Sequence, residues 1–214
     1  MKIIVSSIAF ATLLTTVTIT NAQPYLTADG GAVLQQDSIL HETISGVGVV
    51  NERVSYNPGY RFDLNAGYRF NAWVQAEIGG GYMWDSIDKL GGQDLQPGYK
   101  ADFDSIPLLG NIIFKIPNPT PFVPYFGIGG GAVVSIFDFK SPGGNYSPSD
   151  VQPAVQAQAG LNYWLCHNAS IGVSYKFLAT LDERYNANSS LGPDNYKFDN
   201  IFIHGVFLNF TLRF

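Results

Sequence analysis

The chain has 214 residues, 14% charged and 14% aromatic, with 23 glycines and a formal net charge of −5 from 12 Lys or Arg against 17 Asp or Glu. An acidic chain without a basic run argues against a nucleic-acid partner, and a lone cysteine, Cys166, excludes an internal disulfide. The length suits one domain.

Residues 1–22 open with Met1 and Lys2, continue as an uncharged apolar run over 3–19, and end on Thr20, Asn21 and Ala22. A short positive start, an apolar middle and a small-residue end predict a secretory signal peptide, leaving 23–214 as the folded domain. Loss of Lys2 changes 12 basic residues to 11 against 17 acidic ones, a net charge of −6. After residue 22 no stretch approaches the roughly 18 apolar residues of a membrane helix. A spanning chain must then be a closed barrel, because hydrocarbon offers backbone N–H and C=O groups no partner.

The remaining elements alternate with a period of two, the signature of strands. The first places Leu26, Ala28, Ala32 and Leu34 around Thr27 and Asp29. The second is the cleanest: Tyr60, Phe62, Leu64, Ala66, Tyr68 and Phe70 alternate with Arg61, Asp63, Asn65, Gly67 and Arg69. Val74, Ala76, Ile78, Gly80, Tyr82 and Trp84 then oppose Gln75, Glu77, Gly79, Gly81 and Met83. The fourth strand, residues 105–116, is less clean, with Leu109 and Ile113 on the face that carries Asn111 and Lys115. The fifth covers 122–137 around Gly127, Gly129 and Gly131. In the sixth, Val155, Ala157, Ala159, Leu161 and Tyr163 oppose Gln156, Gln158, Gly160, Asn162 and Trp164; in the seventh, Ile171, Val173, Tyr175 and Phe177 oppose Ser170, Gly172, Ser174 and Lys176. The eighth sets Val206, Leu208, Phe210, Leu212 and Phe214 against Phe207, Asn209, Thr211 and Arg213.

Short turns at 71–73, 117–121 and 166–168 join strands two to three, four to five and six to seven. Long polar connections cover 35–57, 85–102, 138–152 and 181–196, and outer parts such as 47–54 are expected to prolong the strands. These connections hold 12 Asp or Glu, Asp37, Asp85 and Asp150 among them, against 5 Lys or Arg. Turns at one end and loops at the other is the layout of bacterial outer-membrane barrels.

Alternation alone also fits a soluble sandwich or a lipocalin-type barrel with its apolar face inward. Three features favour the opposite orientation. The last apolar row runs to Phe214. Aromatic residues end the apolar rows, with Tyr60, Tyr82 and Trp84 toward the loops and Phe70, Phe114, Phe122, Tyr163 and Phe214 toward the turns, as in interfacial girdles. Strands of about ten residues match a tilted crossing of the hydrocarbon layer.

Residues 104–111, Asp-Ser-Ile-Pro-Leu-Leu-Gly-Asn, and 122–132, Phe-Val-Pro-Tyr-Phe-Gly-Ile-Gly-Gly-Gly-Ala, resemble the paired fourth and fifth strands of the OmpA/OmpX-like outer-membrane β-barrel domain family. With the signal peptide and the terminal Phe, the resemblance covers essentially the whole chain. It implies an all-β, eight-stranded antiparallel up-and-down transmembrane barrel in the bacterial outer membrane. It also implies that Val206, Leu208, Phe210, Leu212 and Phe214 form the terminal signal read by the barrel-assembly machinery.

Inward positions carry Asp29, Arg61, Asp63, Arg69, Glu77, Lys115, Lys176 and Arg213. Eight strands leave room only for the barrel's own side chains, and an unpaired buried charge costs several kcal/mol, so these residues are expected to form a structural charge network. A narrow gated pore along the same charges is the alternative. The glycines at 79–81 and 127–131 lie inside strands with no helix to follow, which is not a phosphate loop. His41, His167 and His204 lack metal-ligand spacing, so no metal or cofactor is expected. A lipid A deacylase, the enzymatic alternative, sets His and Ser together on a lipid-facing strand, whereas His167 and Ser170 differ in parity. The expected protein is a non-enzymatic barrel of structural or surface-display function. Its expected partners are membrane lipid and lipopolysaccharide, the assembly machinery, and a surface ligand for the long loops.

Overall fold

The alternating segments become strands, and the strands continue well past the last alternating residue at the loop end. The computed structural model describes residues 23–44, 48–90, 93–94, 100–141, 144–146, 149–180, 183–189, 192–198 and 200–214, with side chains placed over 23–37, 55–85, 104–136, 149–180 and 200–214. The expected signal peptide lies outside them.

In chain order the described strands are β1 (Gln23–Gln35), β2 (Ser38–Ile44), β3 (Gly48–Tyr56), β4 (Gly59–Arg69), β5 (Val74–Leu90), β6 (Gln93–Asp94) and β7 (Lys100–Lys115). They continue with β8 (Phe122–Ser141), β9 (Gly144–Tyr146), β10 (Ser149–Trp164), β11 (Ala169–Thr180), β12 (Glu183–Ser189), β13 (Gly192–Phe198) and β14 (Phe202–Arg213). Eight of them, β1, β4, β5, β7, β8, β10, β11 and β14, each pair antiparallel with the next, and β14 pairs with β1 to close the ring. The fold is therefore a closed, eight-stranded antiparallel barrel without helices among the described residues. Closure leaves no unpaired edge.

Register keeps each face uniform. Arg69 opposes Gln75, Lys115 opposes Tyr125 and Trp164 opposes Ser170 across the three short turns, so inward residues meet inward residues. The first turn is held by Asn71, whose Oδ1 accepts from the backbone N–H groups of Trp73 and Val74 at 2.8 Å each, a short polar side chain standing in for a turn carbonyl.

At the other end the long connections are largely strand. The extension expected near 47–54 is present as β3, and β8 runs 20 residues, to Ser141 rather than ending at 137. Strands β12, β13, β2 and β3 form a ladder that joins β5. A crossing needs only about 9–11 residues, so the excess projects beyond the layer. Polarity marked these segments as outside the membrane, but it carries no information on whether the ladder continues.

The outward face is apolar and bare. Leu64 is 72% exposed, and Ile78 and Leu208 are 71% each, while Arg61 on the inner face is 3% exposed. A continuous apolar belt of this kind belongs in hydrocarbon. Rings bound it: Trp84 packs edge-on against Phe62 and Tyr82 near the loops, and Phe122 lies tilted against Tyr163 near the turns. Tyr60 and Trp84, directly paired, mark the loop-side limit of the belt.

Candidate functional site

The lumen is filled in layers, and each layer follows from which inward residues the register brings level. Near mid-barrel, Lys176 Nζ donates to Asp29 Oδ2 and Asp63 Oδ2 at 2.8 Å each, and Arg61 Nε donates to Asp63 Oδ1 at 2.7 Å. Two cations and two carboxylates cancel. Asn65 Nδ2 donates a further bond to Asp29 at 2.8 Å, and an Arg61 terminal nitrogen donates to Gln156 Oε1 at 3.1 Å. These charges are thus both paired and hydrogen-bonded, the condition for keeping ions out of water.

Glu77 is satisfied differently. Its oxygens accept from Tyr25 Oη at 3.1 Å, Asn111 Nδ2 at 3.3 Å and Gln158 Nε2 at 3.4 Å, so neutral donors solvate it. Gln156 Nε2 donates to Asn111 Oδ1 at 3.2 Å and links this group to the ion pairs above. The remaining three residues of the expected network, Arg69, Lys115 and Arg213, join no ion pair among the described residues. They lie at the turn end, where Arg213 Cζ is 3.4 Å and Lys115 Nζ 5.5 Å from the centre of the Trp164 ring. Hydrogen bonds through Gln156 and Asn111 thus join Asp29, Arg61, Asp63, Lys176 and Glu77, while Arg69, Lys115 and Arg213 stand apart from them. Strand parity places a residue inside but does not fix its height.

Toward the loops lies a layer that the polarity pattern concealed. Val33, Met83, Leu109, Val133, Ala154, Leu178, Ile201, Ile203 and Phe207 are buried together inside the barrel. Phe207 is at its base, its ring 4.7 Å from Lys176 Nζ and 5.7 Å from Arg61 Cζ. Phe207 fits because its neighbours are Gly31 and Gly205: a Cβ on either would come within 2.8 Å or 2.5 Å of the ring. The signal was available, since Phe207 and Met83 share parity with charged inward residues. Two spaces within the lumen measure about 30 and 10 Å³, each room for a water or two.

Other expected features are separate. His167 is exposed in the turn after β10, whereas Ser170 is 1% exposed and faces the lumen, so the two do not share the lipid face. Asp85, expected in a loop, is the next inward residue after Met83 and is 4% exposed. Neither of its carboxylate oxygens has a hydrogen-bond partner among the described residues. Asp37 is exposed and Asp150 half-buried, while most of the other loop acids have side chains outside the described residues.

No family model and no curated protein matches the chain. Solved structures do. The outer-membrane protein OprG of Pseudomonas aeruginosa superposes with a TM-score of 0.67 at 15% identity, over 90% of this chain and 96% of that one. Neisserial surface protein A gives 0.54 at 14% identity, over 91% and 99%. The outer-membrane protease OmpT of Escherichia coli gives 0.56 at 7% identity, over 90% and 97%. Proteins as different as a surface protein and a protease thus superpose on this fold, and identities this low speak to architecture alone. The chain has the fold of the bacterial outer-membrane β-barrels.

Proposed function

We propose that this protein is a non-enzymatic β-barrel of the bacterial outer membrane, a sealed scaffold that contributes to the membrane's structure or holds loop-end hairpins at the cell surface. The supporting observation is the filled lumen, in which an apolar layer lies above a charge-balanced one. Ions crossing it would have to displace Phe207 and part the Lys176 pairs. A porin-like channel has less support, because the spaces lined by Lys115 and by Arg61 hold no more than a water or two.

In this reading residues 1–22 direct export, and Val206, Leu208, Phe210, Leu212 and Phe214 present the assembly signal. All five are outward-facing and 39–71% exposed. The structured hairpins meet lipopolysaccharide or a surface ligand, and their acidity suits a basic partner or bridging by divalent cations. Single-protein recordings in planar bilayers test the scaffold: silence is expected, and stepwise conductance overturns it. Exchanging the hairpins for short turns should leave heat-modifiable gel mobility intact, which separates assembly from display.

A further inference from the structure

We propose that the turn end of the lumen is an oxyanion site facing the periplasm, built by Arg69, Lys115, Arg213 and Ser170 around Trp164. These are the inward residues nearest the turns on β4, β7, β14, β11 and β10. Trp164 and Ser170 are directly paired, and Ser170 also opposes Thr211, two residues before Arg213.

Three observations converge. First, the cations are close enough for Arg69 and Arg213 to act electrostatically on Lys115, and Arg69 on Arg213, yet none of the three has an ion-pair partner among the described residues. Glu77 also attracts Lys115, but its oxygens are taken by Tyr25, Asn111 and Gln158. Second, Lys115 is only 6% exposed, and its Nζ lies 5.5 Å from the centre of the Trp164 ring on which the Arg213 guanidinium stacks at 3.4 Å. Third, Arg213 Nε and Ser170 Oγ are buried without a hydrogen-bond partner among the described residues.

Near mid-barrel two cations and two carboxylates cancel, so three cations with only the Glu77 carboxylate acting on one of them, beside two orphaned polar atoms, call for an anion. A guanidinium fork, an ammonium and a hydroxyl together suit the several acceptor oxygens of a phosphate or carboxylate. The Trp164 ring shelters the cations and holds the Arg213 plane. The oxyanion reaches the site either free in the periplasm or as the headgroup of a membrane phospholipid.

Trp164 reports occupancy. With Trp73→Phe and Trp84→Phe introduced, it is the sole emitter of the chain's 3 tryptophans. The protein in zwitterionic micelles is titrated with inorganic phosphate at constant ionic strength, and in phosphate-free nanodiscs phosphatidylglycerol is compared with phosphatidylcholine. A saturable change in Trp164 emission is expected. Lys115→Met should raise the midpoint about tenfold, the loss of one charge-assisted bond, and Lys115→Arg should keep it. A response to phosphate identifies the free oxyanion, and one confined to phosphatidylglycerol identifies the headgroup. No response to either, or an unchanged midpoint in Lys115→Met with normal heat-modifiable mobility, overturns the site.

Discussion

Lys176 on β11 reaches Asp63 on β4 at 2.8 Å, past the two strands, β1 and β14, that stand between them in the ring. The contact joins positions 113 residues apart in the chain, so it ties the barrel wall across its width. Lys176→Met would leave Asp63 with Arg61 and Asp29 without an ionic partner among the described residues. A loss of about 3–5 kcal/mol is expected, the usual cost of stranding a buried charge. Adding Asp29→Asn, which removes the stranded carboxylate, should recover part of it. Urea unfolding in lipid vesicles, followed by tryptophan emission, reads both numbers, and a loss below about 1 kcal/mol for Lys176→Met would contradict the pairing.

The orientation of the wall is tested from outside. Leu64 lies mid-strand on the outward face, whereas Leu212 is next to the turn end. Leu64→Arg should cost about 2–4 kcal/mol and Leu212→Arg about 0–1, because the cost of a charge against lipid depends on depth. Equal costs for the two, from the same vesicle unfolding, would reverse the account of which face meets hydrocarbon.

Phe207 is the base of the apolar layer. Phe207→Ala should destabilise by about 3–5 kcal/mol through the cavity it leaves, and it should also admit water toward Lys176. The parent is expected to be silent in planar bilayers, with small intermittent currents in the variant. Gly205→Ala should oppose Phe207 from the other side, by crowding its ring. If Gly205→Ala is as stable as the parent, the close packing of that ring is not required.

Asp85 lies one residue beyond Trp84, outside the apolar belt. Burial first, and the Asp104 carboxylate second, push its carboxyl up to about 7, above the roughly 3.9 of an unfolded chain. The folded protein thus holds this proton more tightly than the unfolded one. Its contribution favours folding most at low pH and is lost as pH rises from about 4 through about 7. Unfolding measured between pH 4 and 8 should show that decline, and Asp85→Asn should flatten it.

The wall of the barrel was legible because one physical rule governs it: opposed residues share a face, so the alternation of 60–70 extends to its partners, and the turns at 71–73 and 166–168 follow from parity. The lumen was only half legible. Charged inward residues announce themselves, but Val33, Met83, Leu109 and Phe207 carry the same polarity as the lipid-facing row. Only their position in an odd or even series separates them. Nor does sequence record the stagger that sets Lys176 level with Asp29 and Asp63 while leaving Lys115 and Arg213 at the mouth. Strand continuation into the loops was expected at parts such as 47–54 and is present there, but polarity alone does not record where each ladder ends.

Pairing of Tyr25 with Arg213 and of Gln35 with Ile203 makes the first and last barrel strands neighbours. Until β14 has docked, β1 and β11 each present a row of bare backbone donors and acceptors to a medium that cannot satisfy them. A nascent wall of seven strands therefore has no resting place in lipid. Insertion is expected to be all-or-none, gated by the final twelve-residue strand, and any lesion there should cost the cell the whole protein and not a fraction of its strength.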